Sequence, residues 1–145
     1  MSGSLEESPA DIIRQLLIDL SMGTASGTWP IYSFWEPDTP DNCITIYHTA
    51  GDLVASHQID GEVQEYHGFQ VRVRSSTPEV GFTKARAIAV SMDSMIQDAV
   101  VIGANVYLIY SIVRKTDVIP IGKETPTSFR DVFTINAVAC LRQTS

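Results

Sequence analysis

Two stretches of this chain alternate apolar and polar residues without a break, and a pattern that repeats every two residues specifies a strand with one face in a core. In Gly68-Phe-Gln-Val-Arg-Val-Arg-Ser75, Phe69, Val71 and Val73 fall on one side, and Gln70, Arg72 and Arg74 on the other. Between Phe129 and Leu141, the residues Phe133, Ile135, Ala137, Ala139 and Leu141 line a single face. Such half-buried strands belong to antiparallel sheets covered on one side.

The cover is supplied by two helices. Ser8-Pro-Ala-Asp11 carries a capping hydroxyl, a proline suited to the first helical position and an acid for the positive end of the dipole. Ile12, Ile13, Leu16, Leu17 and Leu20 follow at helical spacing, with Gly23 as the expected stop. Ser76-Thr-Pro-Glu79 repeats the chemistry ahead of an apolar stripe of Ala85, Ile88, Ala89, Met92 and Ile96. Trp29–Trp35 reads as a short strand that Pro30 confines to an edge, and Cys43–His48 as another strand after the turn Glu36-Pro-Asp-Thr-Pro-Asp-Asn42. Ala99–Val113 reads as one strand, apolar on both faces. Residues 49–67 read as a long loop or loosely paired hairpin, and 116–127 as a Pro/Gly loop. The expected fold class is α+β: a two-layer sandwich of a mostly antiparallel, mixed sheet with both helices on one face. Its 145 residues fit one domain, 1–145, large enough for a core without disulfides or metal.

No apolar run approaches the roughly 20 residues of a membrane span. The acidic start is unlike a secretory signal, so a soluble cytosolic chain is expected. A net charge of −7 speaks against neutralising phosphates. The charge is divided: residues 1–67 hold eleven acids against Arg14 alone, and residues 68–145 hold nine bases against six acids. Unlike surfaces of this kind can steer copies together.

Catalytic or metal chemistry has little to build on. His48, His57 and His67 are spaced by nine and ten residues, which fits no helical ligand pair. Glu65 and His67 share a strand face and offer at most a two-ligand site, against the commoner solvated histidine. There is no G-x-S-x-G elbow and no phosphate-binding glycine fingerprint. Glu36, Asp38 and Asp41 sit in a turn whose geometry itself selects Asp and Asn. Cys43 and Cys140 read as small buried hydrophobes rather than a bridge. Neither an enzyme nor a cofactor nor a metal is expected.

Three stretches together resemble the tail-terminator and minor capsid proteins of long-tailed bacteriophages. They are Pro37–Gly51, with its proline-aspartate turn and apolar strand; Gln70–Arg74 leading into the Lys84-Ala-Arg-Ala-Ile-Ala helix; and Ile119-Pro-Ile-Gly-Lys-Glu124 followed by Arg130–Asn136. Lys123 departs from the acid that often follows that glycine. The resemblance implies a structural virion protein of the tail or neck, assembled in the host cytoplasm. It implies a ring, usually a hexamer, that ends tail-tube growth and joins the tube to the head connector. DNA would pass through without sequence-specific binding, and no membrane is involved. The rivals are another neck ring (head-closure or adaptor protein) and a small cytosolic ligand-binding domain or enzyme with Arg72, Arg74 and His67 around its pocket.

A ring needs one surface to meet a different one on the next copy. Arg72 and Arg74 are expected near the surface, facing a neighbour's acids: Glu36, Asp38 and Asp41 in the turn, or Asp60, Glu62 and Glu65 in the loop. The long loops are expected to reach partners through Gly51, Asp52, His57, Pro120, Gly122 and Lys123.

Overall fold

The computed structural model describes residues 5–49, 55–57, 63–125 and 127–144. The chain runs α1 (Pro9–Asp19), β1 (Ile31–Ser33), β2 (Cys43–Thr49), β3 (Ala55–His57), β4 (Val63–Ser75), α2 (Pro78–Ser94), β5 (Asp98–Ile102), β6 (Asn105–Arg114), β7 (Ile119–Lys123) and β8 (Asp131–Gln143). One sheet of eight strands orders its main path β1-β2-β4-β8-β6-β5, with β3 on β4 and β7 on β8. All pairings are antiparallel except β1 with β2. The expected α+β class and mostly antiparallel sheet are what the fold has.

Both helices begin as their sequences dictate. Ser8 accepts from the Asp11 N–H at 3.2 Å, and Thr77 accepts from the Val80 N–H at 3.3 Å. The stop of α1 differs from expectation. Ser21, at φ 63°, takes the left-handed position. The Ser21 N–H then bonds the Ile18 carbonyl at 3.0 Å and the Met22 N–H the Leu17 carbonyl at 2.9 Å, which is the Schellman closure. Gly23 serves contact instead: a Cβ there would lie 2.5 Å from the Trp29 carbonyl oxygen.

The core lies between the helices and the odd positions of β4 and β8. Phe69, Val71 and Val73 stand beside Ala137, Ile135 and Phe133, and Ile44 and Ile46 on β2 continue the layer. Ile12, Ile13, Leu16 and Leu17 from α1 and Ala85, Ile88, Ala89 and Met92 from α2 close it. Each fully buried aliphatic contributes about 1.5–3 kcal/mol before the cost of ordering the chain.

Four expectations need correction. Ala99–Val113 is not one strand but the hairpin β5–β6, turned at Gly103 with φ +60°. The segment 116–127 is not wholly a loop, since β7 pairs with Asp131–Thr134 of β8 through a bulge between Pro120 and Gly122. Ile96 does not extend the stripe of α2: the helix ends at Ser94, Met95 is extended, and Ile96 is 88% exposed. Trp29–Trp35 is helped into strand form only at Ile31–Ser33, bracketed by positive φ at Trp29 (53°) and Phe34 (68°). The hairpin reading of 49–67 does hold where the chain is described, β3 lying antiparallel on β4.

Candidate functional site

Arg72 and Arg74 lie on the side of β4 turned away from the helices, as their alternation requires. What covers them was not legible in that alternation. The turn after β1 folds back over this outer face, and a charged network ties it to the segment between β7 and β8. Arg74 is at the centre and only 1% exposed, so the expectation that both guanidiniums sit near the surface fails for it. Its Nη1 donates to Glu124 Oε2 at 3.1 Å and lies 3.5 Å from Glu36 Oε1. Its Nη2 donates to the carbonyls of Asp38 (3.2 Å) and Pro40 (2.6 Å), and its Nε to that of Asp41 (3.3 Å). A guanidinium is tolerated out of water only when its donors are met in this way.

Around it, Arg72 Nε donates to Glu36 Oε2 at 3.1 Å and remains partly solvated. Arg130 pairs with Glu124 at 2.5 Å and Asp38 at 3.2 Å, and its Nη1 lies 3.6 Å from Asp41. It also donates to the Asp38 carbonyl. Lys123 bridges to Asp131 at 3.0 Å. The acids Glu36, Asp38 and Asp41 are thus brought together with Arg72 and Arg74 inside one chain. A Thr39–Pro40 cis bond lies within this turn. Arg130 and Glu124 complete the cluster, and sequence reasoning missed both as site residues. Their only signal was the charge division, which this network partly expresses within the subunit.

The other candidates fall elsewhere. Glu65 and His67 bond each other at 2.9 Å, but their positions pair with Leu141 and Ala139 on the helix side of the sheet. The structure therefore does not bring His67 together with Arg72 and Arg74. Pro120, Gly122 and Lys123 lie on the exposed strand β7. His57 ends β3. Gly51, Asp52, Asp60 and Glu62 lie outside the described residues. Among the described residues, no group of three or more His, Cys, Asp or Glu is placed to hold a metal, and no helix is long and apolar enough to cross a membrane.

Protonation follows local chemistry. Burial pushes the Cys43 thiol up to about 11, offset in part by Arg74 beside it. Burial also raises Cys140. Neither cysteine is in a disulfide. Their strand partners on β4, Arg74 and Tyr66, are eight residues apart, roughly 26 Å along an extended strand, so a bridge is geometrically closed to them. His48 Nε2 accepts from the Ala10 N–H at 3.1 Å, and desolvation with the nearby His67 lowers its affinity for a second proton. Glu7 is held below the usual carboxylate range by the Tyr107 hydroxyl and then by Asn105.

A groove of about 690 Å³ opens beside the network, lined by Asp38, Asp41, Glu124, Phe129 and Arg130 among others. Its walls are salt bridges already satisfied within the chain. Among its described lining residues no nucleophile is held by a base, the arrangement acyl-transfer chemistry needs. Two exposed aromatic residues adjoin the cluster in sequence, Trp35 before Glu36 and Phe129 before Arg130.

No protein-family model matches the chain, and no curated protein matches its sequence. Nine chains of solved structures do match. One, from the virion of a native gene transfer agent (GTA) particle, superimposes with a TM-score of 0.55 at 11% sequence identity. The match covers 90% of this chain and 91% of that one. The two share a fold from end to end.

Proposed function

We propose that this chain is a structural virion subunit, a tail-terminator-like protein whose copies form a ring that ends tail-tube growth and joins the tail to the head connector. The observation that carries the virion reading is the end-to-end match to a chain of a virion particle, with nine-tenths of each chain aligned. A domain grafted onto an unrelated enzyme would leave much of one partner uncovered; here neither is. The tail-terminator role adds to this the sequence resemblance in Pro37–Gly51, Gln70–Arg74 and Ile119–Glu124.

The chain's own features fit. Arginine and carboxylate side chains that an enzyme would aim at a substrate are consumed in holding a turn against the sheet. The ligand-pocket alternative loses its constellation, because His67 and the two arginines face opposite sides of β4. Exposed aromatic and aliphatic residues on several elements are the features of a subunit that buries surface on assembly. The net charge of −7 suits a channel that DNA must traverse without sticking.

Deleting the coding sequence from the genome that produces the particle tests the role. The expected result is tails of ungoverned length and heads without tails, restored by supplying the chain in trans. Tails of normal length, correctly joined to heads, would refute it.

A further inference from the structure

Helix α2 carries unlike features at its two ends. In its first half, Lys84 reaches across to the loop after α1: its Nζ donates to the Met22 carbonyl at 3.1 Å and lies 5.3 Å from the centroid of the Trp29 ring. Trp29 and Lys84 line two grooves at once, one of about 490 Å³ over the loop and one of about 360 Å³ along α2. The second is an apolar slot between Trp29, Val80 and Ala87, with Val80 46% exposed. Among the described residues no carboxylate pairs with Lys84; burial alone lowers its hold on its proton, and no neighbouring acid offsets that. A desolvated ammonium bonded to one carbonyl has donors to spare.

Past the other end, the chain leaves α2 at Ser94 and passes through residues 95–97 into β5. Ile96 in this link is 88% exposed, the highest value among the exposed large apolar side chains of the described residues. The link is fixed on both sides. The Met95 N–H bonds the Met92 carbonyl at 3.3 Å, its side chain packs on the core, and Val100 within β5 is fully buried. Ile96 is therefore held out in water rather than left to fold back. Asp98 follows two positions later, on the helix side of the sheet opposite Ile109. Its Oδ1 accepts from the Ala99 N–H at 2.9 Å, and among the described residues no cation pairs with it. An aliphatic knob and a carboxylate two residues apart on a fixed link complement an apolar slot with an ammonium at its rim.

The geometry points to a head-to-tail contact between copies, in which Ile96 of one subunit enters the slot between Trp29, Val80 and Ala87 of the next and Asp98 pairs with Lys84 there. This rests on the ring reading above and names the surfaces that build the ring. Lys84 and the end of α2 at Ser94 are ten helical residues apart, about 15 Å of rise, so knob and slot cannot meet inside one subunit. Every copy offers both, which makes the contact heterologous and leaves one knob and one slot open until the ring closes. Charge sets the direction of docking. Glu79, the one acid lining the slot, lies about 7.5 Å before Lys84 along the helix, so the incoming segment brings its carboxylate to the Lys84 end. The ion pair fixes orientation, while covering Ile96 supplies the apolar gain.

Two full-length variants test it, Ile96→Asp for the knob and Val80→Glu with Ala87→Glu for the slot, measured by sedimentation velocity and native mass spectrometry. All three positions are exposed, so the fold is kept. Each variant alone should be monomeric where the wild type assembles, with association weakened about 30-fold or more, as expected for loss of a hot spot. Mixed, they should form one-to-one heterodimers and nothing larger, since one intact knob and one intact slot remain. A third measurement needs no variant. Zero-length carbodiimide coupling of wild-type rings, assembled from equal parts of light and isotope-labelled protein, should join Lys84 to Asp98 in peptides with one light and one heavy half. Rings formed by either variant alone, or wild-type rings without that cross-link, would overturn the assigned surfaces while leaving the ring reading standing. Variants that stay monomeric when mixed would overturn the pairing. A wild type monomeric at every concentration would remove the ring reading and this inference with it.

Discussion

Replacing Arg74 by alanine removes a guanidinium that is 1% exposed and bound to three backbone carbonyls and two carboxylates. The carbonyls of Asp38, Pro40 and Asp41 lose a charged donor together, and Glu36 and Glu124, both largely buried, each lose one of two cations, keeping Arg72 and Arg130 respectively. Breaking a buried pair by deleting one partner costs about 3–5 kcal/mol, because the other charge stays behind. Against a total stability of about 5–15 kcal/mol for a domain, that is a large fraction. At about 2–4 °C per kcal/mol for chains of this size or larger, the melting temperature falls by roughly 6–20 °C. Arg72→Ala is the control, on the neighbouring outward position of the same strand but partly solvated and with one carboxylate partner. It should cost about 0–1 kcal/mol. Arg74→Lys keeps the charge but not the planar fork, and should recover less than half of the loss. Urea unfolding with matched m-values measures all three. An Arg74→Ala cost within 1 kcal/mol of the Arg72→Ala cost would refute the claim that this guanidinium holds the turn.

Three further outcomes follow from the same structure. Gly81→Ala should destabilise by about 1–3 kcal/mol despite alanine's better helix propensity, since the added Cβ would lie 2.7 Å from Phe133 Cε2 and 2.9 Å from Ser75 Cβ; thermal denaturation checks the sign. Both thiols should resist a disulfide reagent at pH 8 in the native protein and react fully in denaturant, because burial raises both; fast labelling of Cys43 in the folded state would contradict this. The Glu7 carboxyl is more acidic folded than unfolded, so its contribution is present above its ordinary value of 4.5 and is lost as pH falls through and below it. Glu7→Gln should therefore flatten part of the acid limb of a stability–pH profile, and an unchanged limb would count against it.

The elements with a clean period were legible. The alternation of β4 and β8 and the capped stripes of both helices follow from residues a few positions apart, which is the range over which periodicity and capping act. The misses share a different cause. The β5–β6 turn hides in an apolar run because both strands are rich in valine and isoleucine, and Gly103 is a single glycine with no polar neighbour before it. Strand β7 has all five residues exposed, so no burial alternation marks it. Arg74 was placed on the right face and given the wrong surroundings. Its cover comes from residues 33 to 50 positions away along the chain, joined by tertiary ion pairs that no local pattern encodes. The same holds for Arg130 and Asp38, 92 positions apart. By contrast, the separation of His67 from Arg72 and Arg74 was already present in the parity of their numbers.

The central claim is that copies of this subunit close into a ring. Negative-stain imaging of the purified full chain, with its mass distribution measured by native mass spectrometry, addresses it most directly. The account predicts a single closed species, viewed end-on as an annulus with a central hole wide enough for duplex DNA. Monomers at every concentration, or a compact oligomer with no hole, would contradict it.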